Sequence, residues 1–555
     1  MDVIRDYAAH VPIELAKSSN EPDWHSNPWH WCFINARTAR LIDSARHLDS
    51  YAGFTDQDMV AIASVVIDEV EFGRQFMNLG LHWNGTFAQI KYIIYAALFL
   101  PDVTGTDKWL LQAIALWEDF AGAYYYPDGG GIELALGYAT SVTRQMNLVY
   151  EALADRPEAA KVGEILTRAN RFYMAISTPE RTIPPFGDLR FGDITDKIAR
   201  RAKNLYELGN LPDAIVDGTG ATSAPFRSWP PSGADDSWAG IYVMRGDWSN
   251  DANYLACDFG PWGSNHQHAD FMSIHLYGYG RPLIVDPGTC SYRSTDRIGE
   301  RFDLSHGFLH NTIAVDGVDQ GRGQAEDTAT APMQHRFLTH HRIDTVSADY
   351  DFWQHELDVQ HQRRISFAVP DYWLLLDRLT GAKNKPHQIE QTFQCDARCT
   401  VEMSADRQII HGPDGRALTM MPVENDRPGF VVIGERERSV DPNYNRGQGS
   451  TDWVIGGRGW NGVDPTDPSD IAVAAPALVY NPIITCPATL VTVMFPTTPG
   501  IEPDVAVSSF EAVNQSEDMG LVIDVRIDGD EKRRHVWAVS YAAHPLTFAH
   551  DLVTD

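Results

Sequence analysis

The feature that most constrains the fold is a change of hydrophobic pattern near residue 211 of the 555-residue chain. Before it, apolar residues recur at helical spacing, as in 56–77 and 107–125, which predicts consecutive amphipathic helices with short connections. After it, short apolar segments alternate with turn residues, which predicts stacked antiparallel sheets. We therefore expect a helical domain at 1–211, a Gly-, Pro- and Ser-rich linker at 212–236 and an antiparallel β domain at 237–555.

The charge of the chain restricts its partners. Asp and Glu number 75 against 45 Lys and Arg, which gives a formal net charge of −30. Nucleic-acid binding needs clustered cations, so no nucleic-acid partner is expected. No apolar window approaches about 18 residues, so no membrane span is expected. The first residues lack the features of a signal peptide, which predicts a bacterial cytoplasmic protein, or a periplasmic or secreted one if a leader has been removed.

The six cysteines are scattered along the chain. Only Cys395 and Cys399 lie close together, and no second pair completes a zinc knuckle. The cysteines are therefore interpreted as mostly buried thiols.

The segment GSNHQHAD places His266 and His268 two residues apart, and in a strand both would face the same side. Asp286 follows in LIVDPG, after a hairpin, and His310 begins HNTIAVDG. Two imidazoles and a carboxylate form a common ligand set for zinc. A hydrogen-bonded core network would place the same residues together, and His306 is a rival third ligand.

In the helical half, Asn84 stands at the expected start of a helix. It is interpreted either as an N-cap or as a site residue. Tyr138 follows the glycine-rich segment 127–131, about two turns into the next helix. Helical periodicity alone favours a core aromatic at this position.

These motifs together resemble a known family. Asn84, PDGGGIELALGY ending in Tyr138, NHQHAD, LIVDPGTCSY and HNTIAVDG occur in the order and with separations comparable to those of the heparinase II/III-like polysaccharide lyases. The resemblance covers most of the chain. It implies an N-terminal incomplete α/α toroid of helical hairpins, followed by a C-terminal antiparallel β-sandwich domain.

The resemblance also implies roles for individual residues. Tyr138 and His266 match the catalytic Tyr and His of the family, and Asn84 matches the Asn that contacts the uronate carboxylate. His268, Asp286 and His310 match the residues that bind a divalent metal in the family. Zinc is the favoured ion, and its implied role is structural.

The resemblance implies cleavage of a uronate-containing polysaccharide or oligosaccharide by β-elimination, with a glycosaminoglycan such as heparan sulfate, chondroitin or hyaluronan favoured. Alginate lyases of this kind commonly carry His after the Asn, whereas this chain has Gly85 there and His82 two residues before the Asn. Alginate or an exopolysaccharide is therefore the second expectation. Homo-oligomer formation stays open.

Two other functions fit the pattern. Toroids with β domains also serve glycoside hydrolases, which need two carboxylates, and Asp128 and Glu133 are the available pair in the helical half. The third interpretation is a carbohydrate-binding protein with a structural metal. A near-ultraviolet-absorbing unsaturated product would distinguish the lyase from both.

Four further residues are candidates for substrate binding. Trp29 and Trp31 could form an aromatic platform for sugar rings, although ordinary packing is the favoured interpretation of both. Arg37 and Arg293 could bind carboxylate or sulfate groups through their forked donors, and the alternative for each is a salt bridge.

Overall fold

The structure is a computed structural model. It describes residues 31–74, 83–189, 227–231, 237–289, 302–320, 328–333, 335–339, 342–353, 357–381, 385–423, 427–435, 454–455, 458–462, 472–501, 504–511, 519–526, 533–539 and 547–553. The chain divides into two compact units. The first comprises Met1–Glu133 and Tyr138–Arg171, and the second comprises Leu134–Gly137 and Phe172–Asp555.

The described part of the first half is helical. Its helices are α1 Trp31–Leu48, α2 Asp56–Gly73, α3 Asn84–Phe99, α4 Thr106–Tyr124, α5 Leu136–Ala152 and α6 Ala160–Ile176, with a 3-10 turn at Pro157–Ala159. In α3, Phe87, Ile90 and Ile94 are buried at three- and four-residue spacing, as an amphipathic helix requires. Helix α2 begins with a capping box, in which Thr55 and Asp58 exchange side-chain to backbone hydrogen bonds.

The remaining described elements are almost all strands. In chain order they are β1 Ile241–Arg245, β2 Tyr254–Asp258, β3 Ile274–Gly278, β4 Arg281–Ile284, β5 Phe302–Asp303, β6 Ile313–Val315, β7 Arg336–Thr339, β8 Ile343–Tyr350, β9 Val359–Ala368, β10 Tyr372–Gly381, β11 Pro386–Gln394, β12 Thr400–Met403, β13 Gln408–His411, β14 Ala417–Pro422, β15 Gly429–Ile433, β16 Val454–Ile455, β17 Trp460–Asn461, β18 Val473–Ala474, β19 Pro476–Tyr480, β20 Ile483–Thr485, β21 Ala488–Thr497, β22 Asp504–Glu511, β23 Met519–Arg526, β24 Arg533–Val539 and β25 Thr547–Val553. A 3-10 turn at Gly307–Leu309 precedes β6.

The strands form antiparallel sheets around an eight-stranded one with the order β12-β13-β14-β21-β10-β9-β8-β7. A four-stranded sheet has the order β1-β2-β3-β4, and a five-stranded sheet contains β15-β19-β11-β20 with β6 paired to β11. The C-terminal strands form a sheet with the order β22-β23-β24-β25. The short β5 and β16 pair in parallel, and β17 pairs with β18.

Strand β10 explains how these sheets stack. Its segment YWLLL is continuously apolar because both faces are buried. Trp373 and Leu375 enter the core shared with β1–β4 and β11, whereas Leu374 enters a second core with Ile523 and Trp537 of the C-terminal sheet. Successive strand residues point to opposite faces, so one strand contributes to two hydrophobic cores.

The predicted fold class, an N-terminal α/α toroid followed by a C-terminal antiparallel β-sandwich, is confirmed. Cys257, Cys395, Cys399 and Cys486 are buried free thiols, as predicted, and Cys32 and Cys290 lie outside what the structure describes of side chains. Within the described ranges, every helix is too short or too polar to cross a membrane.

Candidate functional site

The NHQHAD motif lies in a loop between β2 and β3, so the prediction that His266 and His268 share one face of a strand is wrong. The loop is held by a hydrogen bond to a distant segment, in which the Asp188 N–H donates to the His266 carbonyl at 3.1 Å. His266 has a φ of +61°, in the left-handed region that few residues other than glycine adopt. Strain of this kind is concentrated at functional sites.

The loop places His268 beside His310, which follows the 3-10 turn before β6. Their ring centroids lie 5.3 Å apart. The metal-ligating atoms of His268, Asp270 and His310 all lie within 4.8 Å of one another, and the three side chains are buried. This donor set of two imidazoles and one carboxylate matches what zinc and similar ions bind.

A carboxylate orients each imidazole. The Nε2 atom of His268 lies 3.0 Å from Oδ1 of Asp188, and Nδ1 of His310 lies 2.8 Å from Oδ2 of Asp286. The opposite ring nitrogens, Nδ1 of His268 and Nε2 of His310, are buried and have no hydrogen-bond partner in the described part of the chain. Metal-bound histidines typically use one nitrogen for the ion and donate from the other to a carboxylate. The residues therefore fit a divalent metal.

The electrostatics of the cluster also favour a cation. Burial, followed by repulsion from Asp270, raises the pKa of Asp258 well above its usual value. Burial also raises the pKa of Asp270. Although burial opposes ionisation of Asp286, the charge and hydrogen bond of His310 lower its pKa. A bound cation would turn the repulsion between these carboxyl groups into attraction.

Asp286, predicted as a ligand, contacts the cluster through His310. Its carboxylate also accepts hydrogen bonds from the Ser273 hydroxyl at 2.8 Å and from the Gly288 N–H at 3.1 Å. These contacts occupy much of its acceptor capacity. Asp270 was not predicted by sequence reasoning, although it stands two residues after His268; reading the motif as HxHxD would have found it.

Segment 186–188 holds the loop in place. The Gly187 N–H donates to Asp270 at 3.1 Å, and the Phe186 carbonyl accepts from the Leu136 N–H at 3.2 Å. Gly187 has a φ of +66°, and a Cβ there would lie 3.1 Å from the His266 carbonyl oxygen. Asp188 also contacts His266 and His268. Segment 186–188 therefore joins Leu136 to the loop that carries the two histidines.

Replacement of Asp188 by alanine is expected to weaken metal binding about 10- to 100-fold, because His268 loses the acceptor that orients it. Metal titration of the purified variant measures the effect. Asp316→Ala is the matched control, because Oδ2 of Asp316 lies 2.8 Å from Nδ1 of His387, a histidine outside the cluster. Equal metal affinity of the two variants would contradict the assignment of Asp188.

In the first unit, Asn84 is the first residue of α3, and the N-cap position belongs to Trp83, which makes no side-chain cap bond. The N-cap interpretation of Asn84 is therefore wrong. Its backbone N–H donates to Oε2 of Glu133 at 3.2 Å, and the Tyr124 hydroxyl donates to the same oxygen at 2.8 Å. The buried side-chain oxygen of Asn84 has no hydrogen-bond partner among the described groups, so the amide is available to a ligand.

Tyr138 is the third residue of α5, which begins at Leu136. The predicted position two turns into the helix is therefore wrong, and the ring is only partly buried. Asn84 and Tyr138 belong to the first unit, whereas His266 and the metal-compatible cluster belong to the second.

The remaining candidates are the substrate-binding residues and the carboxylate pair of the hydrolase interpretation. Arg37 forms an ion pair with the buried Glu69, as the salt-bridge alternative predicted. Trp31 begins α1, and its side chain lies outside the described set, as do Trp29 and Arg293. In the proposed hydrolase pair, Glu133 supports Asn84, and Oδ1 of Asp128 accepts from the Gly130 N–H at 2.9 Å.

Comparison with known proteins places this arrangement in a class. The Heparinase II/III N-terminus family matches residues 2–208, and the Heparinase II/III-like, C-terminal family matches residues 232–472. A mutant of the heparan sulfate lyase HepC from Pedobacter heparinus is 15% identical, with a TM-score of 0.67 and coverage of 98% of this chain and 79% of that one. A heparinase III gene product is 14% identical, with a TM-score of 0.69 and coverage of 96% and 80%. No curated protein sequence matches the chain.

The two family matches place the chain among the polysaccharide lyases, and the prediction of this enzyme class is confirmed. The chain belongs to the heparinase II/III-like family, because the two matches span most of its length.

Proposed function

We propose that the protein cleaves a uronate-containing glycosaminoglycan by β-elimination. The observation that carries the proposal is that the chain matches both halves of the family. The side chain of Asn84 at the start of α3 is consistent with it, because its buried oxygen has no hydrogen-bond partner among the described groups and the amide can turn its N–H₂ group towards a ligand.

Elimination removes the proton on C5 of the uronate and expels the oxygen on C4. The neighbouring carboxylate must accept charge as the proton leaves, and its own negative charge opposes this. Donors placed against the carboxylate stabilise the developing charge, and only interactions that strengthen in the transition state increase the rate. We assign this role to the Asn84 amide and the His266 imidazole.

Tyr138 is the proposed base. A phenol with a pKa near about 10 needs a neighbouring positive charge or donor to act at neutral pH. After it accepts the C5 proton, the same hydroxyl can donate to the leaving oxygen when both groups lie on one face of the sugar. For the opposite C5 epimer, His266 would act as the base.

His268, Asp270 and His310 are proposed to hold a divalent metal, with Asp286 orienting His310 or joining the coordination. Zinc is favoured by the donor set. The metal supplies a cross-link between the histidine loop and the segment before β6, which fixes the loop that carries His266. Its role is therefore structural.

The substrate proposal favours glycosaminoglycans over alginate. Heparan sulfate is the first polymer to test, since a structure similar to this chain is a heparan sulfate lyase and Gly85 replaces the His of alginate lyases. The hydrolase alternative is weaker, because Asp128 accepts from the backbone N–H of Gly130 and Glu133 accepts from that of Asn84.

Product absorbance tests the reaction. Purified protein is incubated with heparin, heparan sulfate, chondroitin sulfate, hyaluronan and alginate, and near-ultraviolet absorbance of the unsaturated product is followed. We expect absorbance to rise with at least one glycosaminoglycan. Release of reducing ends without absorbance would indicate a hydrolase, and binding without either signal would indicate a carbohydrate-binding protein.

A further inference from the structure

Two cations in the first unit, Lys91 and Arg144, lie close together. The Lys91 ammonium on α3 donates to Oε1 of Gln145 on α5, and Arg144 precedes Gln145. Within the described ranges, neither Lys91 nor Arg144 forms an ion pair with Asp or Glu, and Nε of Arg144 is buried with no hydrogen-bond partner. Both side chains are half-buried.

Lys91 and Arg144 differ from three other cations of the same unit. Arg37 pairs with Glu69, Arg74 with Glu71 and Lys161 with Glu118, in a chain where acidic residues outnumber basic ones by 75 to 45. Burial, and next the charge of Arg144, lower the pKa of Lys91. Partly desolvated like charges oppose each other unless an anion neutralises them.

The pair lies on the helices that carry the proposed catalytic residues. Lys91 follows Asn84 by seven residues in α3, and Gln145 follows Tyr138 by seven in α5. Seven residues return to within about 20° of the same helix face after about 10 Å. The Lys91–Gln145 contact therefore lies about two helical turns after Asn84 on α3 and after Tyr138 on α5, on the same faces of the helices as those two residues.

We propose that Lys91 and Arg144 form an oxyanion subsite that binds a second negative group of the substrate, a sulfate ester or a further carboxylate. The inference rests on the proposed function for its natural ligand. Arginine offers a planar fork of donors and lysine a compact charge, and both suit the oxygens of such groups. Gln145 holds the lysine without compensating its charge, whereas a carboxylate partner would compensate it and leave less attraction for an anion.

Binding of inorganic sulfate tests the subsite without turnover. The melting temperature is measured against sodium sulfate at constant ionic strength for wild type, Lys91→Met, Arg144→Gln and the control Lys161→Met. We expect sulfate to bind the Lys91 and Arg144 variants about tenfold more weakly than wild type, from the usual strength of charge-assisted hydrogen bonds. The control should match wild type.

Stability without sulfate separates this role from a structural one. The melting temperature of Lys91→Met should not fall in sulfate-free buffer, because the substitution removes a desolvated charge beside Arg144. A structural lysine would lower it. Equal stabilisation of wild type and both variants by sulfate would overturn the proposal, whether or not the protein is a lyase.

Cleavage assays identify the source of the anion. For the same variants, kcat/KM is compared on heparan sulfate and on its chemically desulfated form, and the loss should lie mainly in KM. Loss on the sulfated polymer alone indicates a sulfate ester, and equal loss on both indicates a carboxylate. Unchanged KM on both polymers would refute the subsite.

Discussion

Replacement of Tyr138 by phenylalanine should lower kcat about 10²- to 10⁴-fold on the polymer that the wild type cleaves, which is the usual contribution of a positioned acid–base group. The substitution removes only the hydroxyl that we propose takes the C5 proton and returns it to the leaving oxygen. Initial rates of product absorbance, measured above and below KM, give the effect on kcat and on KM separately.

Tyr150→Phe is the matched control, because Tyr150 lies on the same helix, near its end. It should retain wild-type kcat. The melting temperature of Tyr138→Phe should also stay near that of wild type, since its ring remains. A Tyr138→Phe variant with near-normal kcat would exclude Tyr138 as the base.

Replacement of His310 by alanine should release the metal and lower the free energy of unfolding by about 3–5 kcal/mol, because Asp286 loses the partner that compensates its buried charge. Asp270 and Asp286 would then repel each other without the His310 imidazole or an ion to compensate their charges. Metal content after dialysis and denaturant unfolding measure the two effects. Asp270→Asn should likewise release the metal.

His266→Asn provides the contrast. Asparagine adopts the left-handed backbone conformation more readily than most residues, so the substitution removes the imidazole and preserves the turn. Its metal content and stability should stay near wild type while kcat falls. If His266→Asn and His310→Ala released metal equally, the separation of a catalytic from a metal-binding histidine would be wrong.

The fold was predictable because its signals are local. Ile90 and Ile94 report a helix by their spacing within α3, and the breaks at Gly and Pro delimit the strands. The continuous apolar segment of β10 predicts burial on both faces, although the sequence could not assign Leu374 and Leu375 to different cores.

The site was less predictable because distant residues shape it. His266 adopts its backbone conformation beside Asp188, which is 78 positions earlier in the sequence, and spacing within NHQHAD carries no information about that contact. The sequence motifs predicted that His268 and His310 lie together, but placed both histidines of NHQHAD on a strand. Asp188 has no sequence signal that separates it from other acids in this chain.

The division of the chain has a practical consequence for protein dissection. Leu134–Gly137 belong to the second unit although Tyr138–Arg171 return to the first, so no single cut separates the two. A fragment that ends at Arg171 contains Leu136 but lacks Phe186, whose carbonyl accepts the Leu136 N–H. A fragment that starts at Phe172 lacks Leu134–Gly137. Separate expression of the two halves should therefore give a poorly folded second half, because Leu134–Gly137 would be missing from it.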